Sequence, residues 1–309
     1  MTGKTVAIVI VNWNSGGLLR DCLLSISRFA ADLKPKVVVV DNGSTDGSDR
    51  AAAEFPAFLL VQTGINNGFA RACNLGATIA GNVDYLLFLN PDARLSPGCL
   101  DRSIAFMESP SAAGVGICGV ALRDGNGRIW RSCSRFPTPL RLVSAAFGLD
   151  RVLPRTGMAM EEWEHNSTRR VDQVIGAYFL IRGSLFQQLG GFDERFFVYF
   201  EEVDLSVRAV RAGWASVFLA DCDAYHLGGG VSGQVKARRL FYTLRSRLLY
   251  AEKHFQLPGL IMVGAATLAI EPLARLVVAG ARGRRTVISE TVAAYLLLWQ
   301  WLLGSNSPP

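Results

Sequence analysis

The feature that most constrains the fold is an uninterrupted run of four valines, Val37–Val40, which stops at Asp41 and an Asn-Gly-Ser turn. β-Branched residues without a polar interruption predict a strand that is buried on both faces, the kind found in parallel sheets. In open α/β sheets, ligands bind just beyond the carboxyl ends of such strands. The position of Asp41 therefore predicts both an α/β fold and a ligand site at this strand end.

Two other apolar runs end in polar residues in the same way. The first run of the chain leads into Asn12 and Asn14, and the run 85–89 leads into Asn90 and Asp92. Because the carboxyl ends of parallel strands meet at one edge of a sheet, these residues are expected to form one site with Asp41.

Strand-like and helix-like patterns alternate without a linker to about residue 230, which predicts one α/β domain over residues 1–235. Residues 122–170 are the least regular part of this region. The predicted strands lie near 5–11, 36–41, 57–62, 83–89, 114–120, 174–181 and 217–219, and the predicted helices lie near 16–30, 46–54, 68–80, 97–108 and 202–212.

The segment 236–309 has a different composition. From Val235 onward there are ten basic and only three acidic residues, whereas the rest of the chain is nearly balanced. A solvated charged face is the ordinary interpretation of such a run. Because long apolar stretches separate these charges, an anionic membrane surface or a lipid phosphate is the favoured partner. No nucleic-acid-binding motif accompanies the charge, so nucleic acid is not predicted as a partner.

The apolar part of this segment covers residues 257–303. Glu271, Pro272 and Arg275 interrupt its first half, which argues against a simple membrane-spanning helix. Two amphipathic helices separated by Arg282–Arg285 and lying in the membrane interface are predicted instead. The alternative is a helical hairpin that packs on the domain or forms a homodimer interface.

The six cysteines are scattered and form no C-x-x-C pair, which predicts reduced, buried thiols and a cytosolic setting. The first apolar run is short and lacks a small-residue cleavage site, so no signal peptide is expected.

Seven short motifs occur in order between residue 11 and about residue 230. They are Val11-Asn12-Trp13-Asn14, Val40 to Gly47, Asn66 to Ala70, Asn90-Pro91-Asp92, Gly190 to Glu194, Phe200 to Asp204, and Tyr225-His226. The set resembles the family-2 glycosyltransferases of GT-A fold, and within them the bacterial rhamnosyltransferase-like branch. The resemblance implies a Rossmann-like, mostly parallel sheet flanked by helices, to which the C-terminal segment adds a helical, membrane-associating extension.

The resemblance also implies a divalent metal site, for Mn²⁺ or Mg²⁺. Asp92 stands in the last position of a D-x-D-like motif whose first position is Asn90, and His226 follows the last strand. Imidazole suits Mn²⁺ better than Mg²⁺. The structural alternatives are an Asx turn with a helix cap at Asp92 and an ordinary hydrogen-bonded histidine.

An acidic pair is the predicted source of the catalytic base. The resemblance implies that the second member of the pair is the general base, which assigns this role to Glu202. The family more often has Asp at this position, so Glu201 is the alternative base. Asp204 lies four residues before Arg208, which is an ion-pair spacing, and is assigned to structure.

The remaining predicted site residues divide between donor and acceptor. Asp41 is expected to accept a hydrogen bond from the nucleotide base. The other residues predicted for the nucleotide sugar are Asn12, Asn14, Asn42, Asn67, Gly68, Arg71 and Asn90, and those predicted for the acceptor side are Gly191, Phe192 and Asp193.

The predicted activity is inverting transfer of a sugar, L-rhamnose from dTDP-L-rhamnose, to a glycan or lipid-linked acceptor in cell-envelope polysaccharide synthesis. The predicted location is the cytoplasmic face of the cell membrane. The alternatives are a UDP- or GDP-sugar as donor, and an inactive sugar-nucleotide-binding protein. A processive synthase would carry a Q-x-x-R-W motif and a nucleotidyltransferase would carry a basic loop after the first strand; neither is found.

Overall fold

The computed structural model describes residues 3–160, 162–228 and 235–304. The chain divides into two compact units. Unit 1 comprises Met1–Ser134, Trp163–Glu194 and Glu201–Val231, and unit 2 comprises Arg135–Glu162, Arg195–Phe200 and Ser232–Pro309. The domain boundary between residues 235 and 236 stays a prediction.

The described residues contain twelve strands, most of them in one sheet of unit 1. In chain order they are β1 (Val6–Asn12), β2 (Lys36–Asp41), β3 (Leu59–Gln62), β4 (Tyr85–Leu89), β5 (Ala93–Leu95), β6 (Val115–Arg123), β7 (Ile129–Trp130), β8 (Cys133–Ser134), β9 (Arg169–Val171), β10 (Gln173–Val174), β11 (Tyr178–Arg182) and β12 (Ala215–His226).

The same described residues contain ten α-helices. They are α1 (Leu18–Phe29), α2 (Phe69–Ala80), α3 (Cys99–Glu108), α4 (Pro139–Phe147), α5 (Gly183–Gln188), α6 (Glu201–Arg211), α7 (Lys236–His254), α8 (Leu257–Ala265), α9 (Glu271–Ala281) and α10 (Arg285–Leu302).

The order of the main sheet is β3-β2-β1-β4-β11-β6-β12-β5. Strand β1 pairs in parallel with β2 and β4, and all of its residues are buried. Covering a Val or Ile side chain on both faces of such a strand removes its apolar surface from water, at about 1.5–3 kcal/mol per fully buried side chain. The parallel half of the sheet therefore brings the carboxyl ends of β1, β2 and β4 to one edge, as predicted.

The other half of the sheet is mixed. Strand β11 runs antiparallel to both β4 and β6, and β12 is parallel to β6 but antiparallel to β5. The sheet is thus less parallel than expected, because β11 lies between β4 and β6 and runs antiparallel to both. The predicted α/β class with helices on the sheet is confirmed.

Helix α2 lies close to the sheet because residue 76 is glycine. A Cβ atom at Gly76 would lie 2.4 Å from a methyl group of Val9 in β1. This close approach places the first turn of α2 near the carboxyl ends of β1 and β2.

The predicted elements differ from the structure at several places. The strand predicted for 217–219 is part of the longer β12, and β5, β7, β8, β9 and α5 were not predicted. Residues Ser48–Glu54 form a 3₁₀ helix rather than an α-helix. The strand predicted for 174–181 is divided into β10 and β11, with Gly176 between them. Helix α4 was missed, although Thr138 caps it, Pro139 begins it and Gly148 ends it, which are ordinary helix signals.

All six cysteines are buried and unpaired, which confirms the predicted free thiols. Burial raises the pKa of the Cys22 thiol far above its usual range, as it does for Cys73 and Cys118.

Unit 2 contains α4 and the four C-terminal helices α7 to α10. Phe241, Leu244 and Leu248 of α7 pack with Ala294 and Leu298 of α10 in an apolar core. The two apolar helical stretches separated by a basic turn, predicted from the sequence, are present as α8–α9 and α10.

A π-helical segment, Ala266–Ile270, joins α8 to α9. It lies just before Pro272, whose ring blocks the regular helical hydrogen bond and is a known cause of such irregularities. Glu271 is buried at this point and pairs with Arg247 of α7 and, at 2.7 Å, with Arg275. The two charged residues that interrupt the apolar segment, Glu271 and Arg275, therefore form ion pairs inside unit 2.

Candidate active site

The end of β1 is joined to the end of β2 by a buried hydrogen bond. Nδ2 of Asn12 donates to Oδ1 of Asp41 at 2.7 Å and to Oγ of Ser48 at 2.9 Å, and the Ser44 amide donates to Oδ2 of Asp41 at 3.1 Å. Asn12 is fully buried, and Asp41 is almost so. Asn12 therefore fixes the Asp41 carboxylate, which keeps unused lone pairs for a further donor.

Asn14 has a positive φ of 49°, a conformation that asparagine tolerates better than most residues. Its Oδ1 accepts from the Thr45 amide at 2.8 Å, so that the loops after β1 and β2 are tied together.

Asn42 holds the loop that precedes α2 by hydrogen bonds, as Asn14 holds the loops after β1 and β2. Its Nδ2 donates to Asn66 Oδ1 and to the Gly68 carbonyl, each at 3.0 Å, and its Oδ1 accepts from the Asn67 amide at 3.0 Å. Gly68 has a φ of 87°, which requires a glycine, and it begins α2. The structure thus brings Asn42, Asn67 and Gly68 together, and their role toward a nucleotide sugar stays a prediction.

Asp92 and His226 lie side by side. Strand β5 starts directly after Asp92 and pairs with β12, so that Ala93 lies opposite His226. His226 Nε2 is 3.3 Å from Asp92 Oδ1, and both side chains are nearly buried. Neighbouring ligands of an octahedral cation with bonds of about 2.1 Å lie about 3 Å apart, so this separation fits two ligands of one ion.

His226 is further held by Trp130. The indole ring of Trp130 lies 5.5 Å from the imidazole in an edge-on arrangement, and a Cβ atom at Gly228 would collide with the indole. Nδ1 of His226 is buried and has no hydrogen-bond partner in the described residues. No group of three or more His, Cys, Asp or Glu within those residues is placed to hold a metal ion.

The acidic pair begins α6. Glu201 is 4% exposed, Glu202 is half-buried, and Oε2 of each has no hydrogen-bond partner among the described residues. Burial raises the pKa of both carboxyl groups, and the charge of Glu202 raises the pKa of Glu201 further. A buried acidic pair whose pKa values are raised is typical of a catalytic site.

The chain just before α6 is strained. Tyr199 and Phe200 have φ angles of 68° and 71°, two consecutive non-glycine residues in the left-handed region. Such conformations cost about 1–3 kcal/mol each and concentrate at functional sites.

Asp204 has the structural role predicted for it. It is fully buried and accepts from Arg208 Nε at 2.8 Å, while the other guanidinium nitrogens of Arg208 donate to the carbonyls of Leu189 and Gly191. This ion pair fixes the loop that holds the predicted acceptor-side residues.

The same loop is held from its other side by Asn74 of α2, a residue that was missed in the sequence. Asn74 Oδ1 accepts from the Phe192 amide and its Nδ2 donates to the Phe192 carbonyl, both at 2.9 Å. The Phe192 ring is buried against Phe88, whereas Asp193 is half-buried. Arg71, one turn earlier on α2, is exposed and lies 3.9 Å from Glu194.

Asn90 is half-buried directly after β4, where its backbone amide donates to the Ala177 carbonyl at 3.1 Å. The predicted roles of Arg71, Asn90, Asp193 and the other site residues toward a ligand stay predictions.

Comparison with known proteins identifies the family of this fold. Residues 7–189 match the family described as glycosyl transferase family 2. The chain belongs to that family. The matched region contains Asn12, Asp41 and Asp92 and ends before the acidic pair and His226.

Two curated relatives of this family-2 glycosyltransferase are rhamnosyltransferases by name. The N-acetylglucosaminyl-diphospho-decaprenol L-rhamnosyltransferase of Mycobacterium tuberculosis (strain H37Rv) is 32% identical over 267 residues, which cover 80% of this chain and 84% of that protein. Rhamnosyltransferase WbbL of Escherichia coli (strain K12) is 26% identical over 219 residues, 67% of this chain and 78% of that protein.

Solved structures share the fold. The mannosyltransferase PcManGT from Pyrobaculum calidifontis in complex with GDP-Man and Mn²⁺ matches with a TM-score of 0.55 at 17% identity, over 96% of this chain and 87% of that one. Staphylococcus aureus TarS 1–349 in complex with UDP matches with a TM-score of 0.52 at 14% identity, over 97% and 92%. These likenesses confirm the fold class.

Proposed function

We propose that this glycosyltransferase transfers L-rhamnose from dTDP-L-rhamnose to a sugar linked to a polyprenyl diphosphate, with inversion at the anomeric carbon. The observation that carries the proposal is the buried acidic pair at the start of α6, in the same unit as the Asp92–His226 pair and the Asn12–Asp41 pair. The choice of rhamnose and of a lipid-linked acceptor is supported by the mycobacterial relative.

Asp92 and His226 are proposed to hold a divalent cation. Their donor atoms lie at a separation suited to two ligands of one ion, and an oxygen with a nitrogen donor suits Mn²⁺. When bound, the cation neutralises the charge of the diphosphate leaving group. Asn90 is proposed to face the same group, since it starts the turn that carries Asp92.

Glu202 is proposed as the base. It is the second member of the pair, and as a residue it is less buried than Glu201, although its Oε2 is itself buried without a partner in the described residues. As the acceptor oxygen forms its bond to the anomeric carbon, the bond from that carbon to the phosphate oxygen breaks, and the hydroxyl proton moves to Glu202. Attack opposite the leaving group inverts the configuration.

Glu201 assists by retaining its proton. Two neighbouring buried carboxyl groups do not both ionise readily, and the pKa of Glu201 is raised by burial and by Glu202. We assign the retained proton to Glu201 because it is the more buried of the two residues.

The nucleotide is proposed to lie at the ends of β1 and β2. Asp41, oriented by Asn12, accepts from a base N–H, and the loop held by Asn42 forms the adjoining wall with Asn67 and Gly68. Gly191, Phe192 and Asp193 are proposed to shape the acceptor side, where the buried Phe192 anchors the loop and Asp193 is the half-buried member.

Unit 2 is proposed to hold the enzyme on the cytoplasmic surface of an anionic membrane. Several large apolar side chains are exposed on α8, α9 and α10 and directly after α10. They are Leu257, Ile261, Leu273, Val277, Val292, Leu296, Trp299 and Leu303. Exposed apolar surface of this extent marks an interaction site, and each nearby cation adds about 1 kcal/mol on an anionic surface. A homodimer interface is the alternative use of this surface.

One continuous helix, Leu257–Ala281, is long and apolar enough to cross a membrane by length and composition. Its midpoint is bound through Glu271 to Arg247 of α7, a helix rich in cations. A spanning orientation would draw these charges into the hydrocarbon, so we favour an interfacial position.

A donor screen tests the proposed function. Hydrolysis of dTDP-L-rhamnose, UDP-sugars and GDP-sugars would be measured with the full chain and with Glu202→Gln as the inactive control. We expect dTDP-L-rhamnose to be hydrolysed fastest. Preferential hydrolysis of a UDP- or GDP-sugar would overturn the assignment of the donor.

A further inference from the structure

Helix α7 of unit 2 carries basic residues that lack acidic partners. Lys236 and Arg247 each have a glutamate within ion-pair distance. In the part of the chain that the structure describes, no carboxylate pairs with Arg238, Arg239 or Arg245. Three cations without partners on one helix leave a local excess of positive charge.

Arg245 differs from an ordinary surface arginine because it is half-buried. Its guanidinium lies 5.5 Å from the ring centre of Trp301 in α10, and its Nε is buried without a hydrogen-bond partner in the described residues. Burial lowers the pKa of this guanidinium below its usual range. A desolvated cation with an unused donor is unfavourable unless an anion binds it.

Tyr242 connects Arg245 to a second guanidinium. Arg238, Tyr242 and Arg245 are spaced by four and three residues and so share one face of α7. Each arginine lies one helical turn from Tyr242, and both charges partly offset the increase that burial causes in the pKa of the Tyr242 hydroxyl. The Tyr242 ring is stacked on Phe197 at 4.5 Å, so the tyrosine is held in place.

We propose that Arg238, Tyr242 and Arg245 form a binding site for the diphosphate group of a polyprenyl-linked acceptor, an assignment that rests on the proposed function above. The two guanidinium groups are positively charged and can only donate hydrogen bonds, and the hydroxyl group can donate one more. A diphosphate is complementary to them because it is negatively charged and has many acceptor oxygens. Arginine binds phosphate through paired N–H donors, which a half-buried, preoriented guanidinium favours.

The position of this site relative to the exposed apolar face of α10 supports a lipid ligand. Val292, Leu296 and Trp299 share one side of α10, and Trp301 lies on the opposite side at 100° per residue. Because Trp301 of α10 contacts Arg245, the exposed apolar side chains of α10 and the cations of α7 belong to one packed helix pair. The same unit therefore offers an apolar surface for a lipid chain and guanidinium groups for its diphosphate.

The experiment measures binding of the full chain to vesicles by flotation. Neutral phosphatidylcholine vesicles would carry either polyprenyl diphosphate or phosphatidylglycerol at equal total charge, and inorganic pyrophosphate would be added as a soluble competitor. The variants are Arg245→Gln and Arg238→Gln. Arg239→Gln is the matched control, since it removes the same charge from α7 on a face about 100° away.

We expect wild-type protein to prefer the polyprenyl diphosphate vesicles. Arg245→Gln and Arg238→Gln should each weaken that binding by about tenfold or more, with little change on phosphatidylglycerol. Arg239→Gln should weaken both kinds of binding slightly and equally. Arg245→Lys, which keeps the charge but not the planar group, should fall between wild type and Arg245→Gln, and unchanged donor hydrolysis in all variants would show that they are folded.

Two results would overturn the assignment. Equal losses for Arg245→Gln and Arg239→Gln on both vesicle types would show a general headgroup attraction. Complete displacement by pyrophosphate at a concentration equal to that of the lipid would show a site for soluble diphosphate.

The acceptor assay separates this inference from the proposed function. If wild-type protein transfers sugar to the lipid-linked acceptor and Arg245→Gln has an unchanged KM for it, the binding site is wrong and the function stands. If wild-type protein transfers nothing to that acceptor, the proposed function fails first.

Discussion

Glu201 and Glu202 are adjacent in sequence but differ in their surroundings. Both carboxyl groups are desolvated and have raised pKa values, and Oε2 of each is buried, although Glu202 as a residue is less buried than Glu201. The sequence could place the pair and could not rank its members, because burial depends on how α6 packs on β10 and β12.

Glu202→Gln is expected to lower kcat by a hundredfold or more, since the amide cannot accept the hydroxyl proton. The affinity for the donor should change little, which calorimetry with dTDP would check. Glu201→Gln, the matched control, should retain much more activity because a neutral group already stands there. A dead Glu201→Gln beside a near-normal Glu202→Gln would reverse the two roles.

Stability should also depend on this pair. A carboxyl group whose pKa is raised on folding contributes stability below its unfolded pKa, and that contribution is lost as the pH rises through the folded value. Wild-type protein should therefore lose thermal stability relative to Glu201→Gln as the pH rises above about 4.5, the ordinary pKa of a glutamate. Parallel melting curves of the two proteins across this range would contradict the raised pKa.

Asp92→Asn and His226→Ala should both weaken Mn²⁺ binding, because each removes one of the two donors that lie 3.3 Å apart. Loss of a residue that only supports a metal ligand typically lowers metal affinity about 10–100-fold. Loss of a ligand itself should therefore cost at least about tenfold. Titration followed by the electron paramagnetic resonance of free Mn²⁺, in the presence of dTDP, measures this directly. Unchanged Mn²⁺ affinity in both variants would remove the proposed metal site.

At the scale of elements, the parts predicted from sequence are those with local signals. The valine run at β2 and the polar residues that end β1, β2 and β4 predicted the parallel half of the sheet and the Asn12–Asp41 cluster. The antiparallel insertion of β11, and the pairing of β5 with β12 that unites Asp92 with His226, depend on contacts between distant segments. The His226 assignment came from family resemblance rather than from any local pattern.

The Gly190–Gly191 pair allows a matched test of how α2 holds the acceptor-side loop. Both glycines have positive φ angles, so alanine at either position costs about 1–2 kcal/mol. A Cβ atom at Gly191 would also lie 2.6 Å from Asn74 Oδ1, whereas nothing lies within 4 Å of one at Gly190. Gly191→Ala should therefore reduce the free energy of unfolding more than Gly190→Ala, as measured by urea denaturation.

Equal losses of stability in these two variants would mean that Asn74 does not hold the loop tightly. A larger fall in acceptor turnover for Gly191→Ala than for Gly190→Ala is expected as well, since the same contact fixes the position of Phe192.

At the scale of the whole molecule, the basic and apolar residues are concentrated in one part of the chain. Composition alone predicted an interfacial C-terminal segment, and the structure adds that its interrupting charges, Arg247, Glu271 and Arg275, pair with one another inside unit 2. What could not be foreseen is that residues 135–162 and 195–200 belong to the same unit, because no compositional change marks them.

Leu273→Glu is expected to weaken binding to anionic vesicles, because this side chain is 64% exposed on α9 and would insert into the interface. Ile65→Glu is the matched control, since Ile65 is also 64% exposed but lies in unit 1. Equal binding of both variants, together with a wild-type dimer that Leu273→Glu dissociates, would assign the surface to a homodimer.

The most direct measurement is the structure of the product. The full chain would be incubated with dTDP-L-rhamnose, Mn²⁺ and the lipid-linked acceptor, and the new glycosidic bond would be assigned by mass spectrometry and NMR. We expect one rhamnose per acceptor, attached with the anomeric configuration opposite to that in the donor, and almost no product with Glu202→Gln. A bond of retained configuration, or transfer of a different sugar in preference to rhamnose, would contradict the proposed reaction.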